Sequence, residues 1–144
     1  MRFIIPAVPV AQPRQRFAKR GNFVSAYIPK SDPIHDFKAT VRMVVSELYK
    51  DAPLDCPLAV VLEFVFPRPS TMRWKRRAMP RAWRPHKPDG DNLVKAVWDS
   101  LNGLLWQDDA LIVDVRARKF IASGDEQPHV VIEVHKLQTE GATN

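Results

Sequence analysis

A single cysteine, Cys56, stands among 144 residues, so no intramolecular disulfide can form. The four histidines, His35, His86, His129 and His135, share no ligand spacing with one another or with Cys56, which argues against a zinc site. No apolar run approaches the roughly 20 residues that a membrane-spanning helix needs, and the amino terminus carries no signal-like segment. No internal repeat is visible. These absences lead to the expectation of a cytoplasmic protein without a membrane partner or a nucleotide cofactor. One further absence is local: from Pro67 to Pro88 there is no acidic residue.

What is present is one domain's worth of chain, 45% hydrophobic and 26% charged, enough to fold around a single core over residues 1–144. The net charge is +6 and the sequence pI about 9.8. The excess is concentrated in the acid-free stretch, which holds Arg68, Arg73, Lys75, Arg76, Arg77, Arg81, Arg84 and Lys87. Five prolines, Trp74 and Trp83 interrupt any helical or strand period there. It is expected to be a mobile basic arm over about 67–88 that contacts phosphates, its tryptophans stacking on exposed bases.

Met1 to Ile5 predicts a short strand, followed by a basic, turn-rich hairpin carrying Arg14, Arg16, Lys19 and Arg20. Ile34, Phe37, Val41, Val44, Val45 and Leu48 recur at three and four residue steps, predicting a helix from about Pro33 to Tyr49 capped by Ser31 or Asp32. The run LAVVLEFVF between Pro57 and Pro67 suits a strand covered on both faces. From Asp91, an apolar arc of Leu93, Val94, Val97, Trp98, Leu101, Leu104 and Leu105 predicts a second helix, stopped by Gly103. Leu111 to Phe120 and His129 to Leu137 read as strands joined by a Ser123-Gly124-Asp125 turn, with a frayed tail from about Gln138. The order implies an α/β (α+β) fold: a mixed sheet with two main helices packed on it.

The string K-P-D-G-D-N-L-V-K-A, Lys87 to Ala96, places two aspartates around a glycine at a helix start. Lys95 falls one helical turn after Asp91, on the polar face, with Asp89 in the preceding turn. A second acidic pair, Asp108-Asp109, precedes the strand after Gly103. Magnesium takes hard oxygen ligands and keeps several waters, so Asp89, Asp91 and one of Asp108 or Asp109 suffice as protein ligands. Such an ion suits phosphodiester hydrolysis, with Lys95 offsetting charge on the phosphate. The bland alternative is that Asp89 or Asp91 merely caps the helix and Asp108-Asp109 is a solvated turn. Either cluster alone favours that reading; their conjunction, with acids set in basic surroundings, favours a site.

These strings resemble the RusA family of Holliday junction resolvases, small endodeoxyribonucleases common in prophages. The resemblance rests on K-P-D-G-D-N-L-V-K-A-V-W-D-S-L-N-G, Lys87 to Gly103, followed by W-Q-D-D-A-L-I-V, Trp106 to Val113, with the early V-P-V-A-Q-P-R-Q-R-F also similar. It implies a homodimer that binds four-way DNA junctions and makes paired nicks with Mg2+, Mn2+ being a possible substitute, in a bacterial or phage-infected cell. The catalytic positions it implies are Asp89, Asp91, Lys95 and Asp109, with Asp108 as a further candidate metal ligand. Arg14, Arg16, Lys19, Arg73, Lys75, Arg76, Arg77, Arg81, Arg84 and Lys87 are the candidate DNA contacts. Three rival readings stay open here: a metal-dependent nuclease acting on forks, flaps or single strands, a nucleic-acid binding module without catalysis, and a structural protein whose basic arm binds acidic proteins.

Overall fold

The computed structural model describes residues 1–138. Nine regular elements follow one another: β1 (Arg2–Ile5), β2 (Arg16–Arg20), β3 (Phe23–Tyr27), α1 (Ile34–Leu48), β4 (Leu58–Phe66), β5 (Ala82–Trp83), α2 (Gly90–Leu101), β6 (Ile112–Ile121) and β7 (His129–Lys136). Single 3-10 turns occupy Ser70–Met72 and Asp109–Leu111. Five strands form one mixed sheet in the order β1-β7-β4-β6-β5, while β2 and β3 make a separate hairpin. The α+β class and the two-helix layer agree with the sequence pattern. Of the expected tail only Gln138 falls among the described residues.

Helix α1 has Pro33 rather than Ser31 or Asp32 at its cap position, and Asp32, one residue earlier, accepts a hydrogen bond from Ile34 N at 2.9 Å. It buries Ile34, Phe37, Val41 and Val45, and α2 buries Leu93, Ala96, Val97, Ser100 and Leu101. Both stripes meet Leu58, Val60, Leu62 and Phe64 of β4 in one core. Each such aliphatic side chain taken from water contributes about 1.5–3 kcal/mol.

The expectation that β4 is covered on both faces needs correction. Leu58, Val60, Leu62 and Phe64 are buried under the helices, but Ala59, Val61 and Glu63 on the opposite face are only half-buried. The continuous apolar run reflects instead its central place in the sheet, parallel to β6 on one side and antiparallel to β7 on the other. Only at the Val65 end does a small second cluster form, with Phe120 and Ala122.

The stretch after β4 is also more structured than its composition suggests. Arg68 is buried and donates to the carbonyls of Met72, Pro80 and Ala122 at 2.8 to 3.2 Å, so one guanidinium gathers three parts of the chain. Arg81 pairs with both Glu63 and Glu126. Trp83 in β5 stacks on Phe120 with ring centroids 4.8 Å apart, and β5 pairs with the end of β6. The loop thus returns to the edge of the sheet and leads directly into α2.

Candidate active site

Helix α2 begins at Gly90, one residue earlier than its apolar period suggests. The turn before it is held from two sides. Lys119 Nζ donates to the carbonyls of His86 at 2.7 Å and Pro88 at 2.9 Å, and the Arg84 guanidinium donates to the Lys87 carbonyl at 2.8 Å. The Lys87-Pro88 peptide bond is cis. Gln12 N donates to the Asn92 carbonyl, laying the amino-terminal segment across the first turn of the helix.

Asp89 occupies the cap position with extended backbone, yet its side chain makes no capping bond. Asp91 accepts only from the adjacent amide of Asn92, at 2.9 Å. Neither carboxylate serves as a conventional cap, which removes the main argument for the bland reading of this turn. Both line an open cleft of about 720 Å³ with Lys95, Arg14 and Asp99. A neighbouring cleft of about 670 Å³ is lined by Arg14, Lys87 and Asp89. Arg14, on the amino-terminal segment, therefore borders both clefts. Asp99 had no part in the sequence reading; it stands two turns after Asp91 and faces Lys38 of α1 at 3.8 Å.

The second acidic pair lies elsewhere. Gly103, at φ +79°, stops α2 as its position predicts, and its amide donates to the Trp106 carbonyl at 2.8 Å. Leu54 pairs with this turn, donating to Leu105 O and accepting from Gln107 N. Trp106 is fully buried, and its indole N–H donates to Asn102 Oδ1 at 2.9 Å. The Asn102 amide in turn donates to Asp109 Oδ2 at 3.0 Å. Asp108 caps the short 3-10 turn by accepting from Ala110 N. The pair thus divides its work: Asp108 caps, and Asp109 is held by a side-chain bond from Asn102. Asn102 is a residue the sequence reading missed, since it looks like an ordinary helix end. Its signal was the tryptophan four residues on, whose buried indole N–H needs an acceptor.

Asp109 is therefore anchored just past the carboxyl end of α2, while Asp89 and Asp91 lie at its amino end. The helix between its two ends is twelve residues long, about 18 Å at 1.5 Å per residue. Accordingly, among the described residues no three His, Cys, Asp or Glu side chains are grouped to hold a metal ion. The structure brings Asp89, Asp91 and Lys95 together and leaves Asp108 and Asp109 apart from them.

The predicted DNA contacts also divide. Arg16 and Lys19 are exposed on β2, and Lys75, Arg76 and Arg77 are exposed in the loop, with Arg77 lying over the Trp74 ring at 3.7 Å. Arg73 lies near the Gly124 carbonyl at 3.5 Å. Arg81 and Arg84 are engaged internally, over Phe120 and Phe66 respectively, in addition to their hydrogen bonds.

The family model for endodeoxyribonuclease RusA matches residues 6–135, nearly the whole described chain. The chain belongs to the RusA family. RusA proteins are endodeoxyribonucleases, hydrolases of phosphodiester bonds that act on Holliday junctions and are generally metal-dependent. The chain is also similar to uncharacterized protein YqaN of Bacillus subtilis (strain 168), 30% identical over 142 residues, covering 95% of this chain and 96% of that protein. Among the described residues no helix is long and apolar enough to cross a membrane. The RusA match spans both acidic groups, the amino-terminal segment and the basic loop.

Proposed function

We propose that this RusA-family protein resolves four-way DNA junctions as a homodimer, making paired nicks with Mg2+ held by Asp89, Asp91 and Asp109, and that the two acidic groups of each site come from different subunits. The observation that carries this reading is the Asn102–Asp109 bond, which ties the third carboxylate to the carboxyl end of α2 while the other two stand at its amino end.

The donor set fits magnesium. Asp89 has no cap bond, Asp91 has one local bond, and both face an open cleft. A hard cation that keeps several waters needs only two or three such oxygens. When bound, the ion supplies polarisation of the phosphate and a water of lowered pKa. The chain's own residues do the rest. Lys95 sits in the same cleft and offsets charge on the phosphate. Arg14 and Lys87 flank Asp89 and draw the backbone toward it. Lys119 and Arg84 fix the turn that presents Asp89, so little reorganisation is needed when DNA arrives. Twofold symmetry gives two equal sites for the two strands to be cut.

The test mixes two inactive subunits. Asp91→Asn and Asp109→Asn homodimers are each expected to lose Mg2+-dependent nicking while still binding junctions. A mixed dimer has one site with both defects and one with none, so mixing and re-equilibrating the two should restore nicking of one strand per junction. A site built within one chain leaves every site defective and gives no restoration. Full activity of the Asp91→Asn homodimer sinks the site assignment itself.

A further inference from the structure

Hairpin β2–β3 forms its own two-stranded sheet and pairs with no strand of the main sheet. Every residue of β3, and every residue of β2 except Ala18, is exposed. A two-stranded hairpin is marginally stable at best unless something covers one of its faces. Yet Phe17 is 70% exposed and Val24 64%. The hairpin also lies in a second acid-free stretch. The first acidic residue of the chain is Asp32, and before it stand Arg2, Arg14, Arg16, Lys19, Arg20 and Lys30. A surface that is apolar and carries only positive charge fits an anionic partner with flat apolar faces, and nucleic acid combines the two.

Residues opposite each other in an antiparallel pair share a face, so Phe17, Lys19, Val24 and Ala26 stand together. Phe17 brings that face to the candidate active site, where it lines the cleft of about 720 Å³ with Asp89, Asp91 and Lys95. The opposite face turns elsewhere: Ala18, Arg20, Ser25 and Tyr27 border a separate groove of about 430 Å³. Arg14, three residues before Phe17, borders the same cleft as Phe17, and three residues of chain span at most about 11 Å. A nucleotide whose phosphate is held at Arg14 thus has its base within reach of the Phe17 ring. That ring is free to take it, because the two aromatic pairs among the described residues, Trp83–Phe120 and Trp98–Trp106, do not include Phe17. The tryptophans expected to stack on bases are engaged within the chain instead: Trp83 gives one face to Phe120, and Trp74 lies under Arg77.

We infer that Phe17 stacks on a nucleobase at the branch point of the junction, beside the phosphate that is cut, and so makes the site selective for branched over linear DNA. This rests on the reading of the protein as a junction nuclease and names the feature of the junction that the site reads. Within a linear duplex both faces of every base are occupied by its neighbours. Where strands exchange, the stack is interrupted, and a base face is released at the least cost. Stacking on an aromatic ring needs only that face and suits every base, so it reads branching rather than sequence. Lys19, on the same face of the hairpin, and Arg14, at the cleft, hold the flanking phosphates.

Binding measured with Ca2+ in place of Mg2+, so that the junction stays uncut, tests this. Phe17→Ala should raise the Kd for a four-way junction about tenfold and that for linear duplex by less than about twofold. Phe17→Tyr keeps a ring and should stay within about twofold of the parent, whereas Phe17→Leu keeps only apolar bulk and should behave as Phe17→Ala does. Phe23→Ala, on the other face of the hairpin, should change neither Kd. Both positions are exposed, and circular dichroism of each variant checks that the fold is kept. With 5-iodouracil at the branch-point positions, ultraviolet light should cross-link the parent through Phe17, and moving the label into an arm should abolish that cross-link. Equal weakening on junction and duplex, full affinity of Phe17→Leu, or a cross-link that maps only to other residues overturns the stacking role and leaves the junction nuclease standing. So does a change in the sedimentation of Phe17→Ala without DNA, which would make this face a contact between copies of the chain. A parent that binds junctions no better than duplex overturns both.

Discussion

Asn102 connects a buried tryptophan to a carboxylate of the proposed site, and the two halves of its side chain have separable consequences. Its oxygen satisfies the Trp106 indole N–H, and its nitrogen restrains Asp109. Asn102→Ala leaves a buried donor without a partner, a loss of about 1–3 kcal/mol. Thermal unfolding should show it as a Tm lower by several degrees. It also releases Asp109, so nicking measured well below that Tm should fall about tenfold or more, with junction affinity unchanged in a gel-shift titration. Asn102→Asp keeps an acceptor for the indole but loses the donor to Asp109, so it should recover part of the Tm and none of the activity. Equal recovery of both would show that Asn102 acts only through stability.

At the level of elements, the joint between the basic loop and the β6–β7 turn depends on pH. The Arg81 guanidinium, chiefly by hydrogen bonding, holds the Glu126 carboxyl at about 2, below its ordinary 4.5. A depressed carboxyl contributes its stability in full above the ordinary value and loses it as pH falls from about 4.5 toward 2. Because the pair is partly solvated, its share is about 0.5–1 kcal/mol. Chemical denaturation should therefore find Glu126→Gln less stable than the parent by that amount at pH 6, with the gap closing near pH 2. A gap that does not change with pH would exclude this pairing as its source.

This joint also shows what a sequence conceals at this scale. Helices α1 and α2, and strands β4, β6 and β7, were legible because each carries helical spacing, alternation or an unbroken apolar run over at least eight residues. Strand β5 has two residues and no period to read. The loop before it is arranged by Arg68, whose three carbonyl acceptors include Ala122, 54 residues away. No local pattern announces that contact. The face of β4 that lacks a helix was misread for a related reason: an apolar run reports burial, but it does not say whether helices or neighbouring strands supply it.

Over the whole molecule, charge and topology separate what the acidic motifs alone did not. Asp91 and Lys95 converge because helical spacing is local, whereas the distance to Asp109 depends on how the chain returns after α2. Two sets of bases differ in their relation to the acids. Arg14 and Lys87 line the clefts, and Lys75, Arg76 and Arg77 line neither of the acidic clefts while remaining exposed in the loop. Under the proposed function, bases of the second kind are expected to grip phosphates without regard to DNA shape, and each phosphate neutralised steepens the salt dependence by about 0.9 in log K against log salt. Replacing Lys75, Arg76 and Arg77 by alanine should reduce that slope by about 2–3. It should weaken binding to junction and linear duplex alike, and leave the nicking rate of fully bound junction within about twofold. Arg14→Ala should do the reverse, with a slope change near 1 and a large drop in the bound-state rate, because Arg14 borders the cleft that holds Asp89 and Asp91. If the triple replacement instead abolishes junction preference while sparing duplex binding, the loop reads DNA shape, and the division between gripping and cutting bases fails.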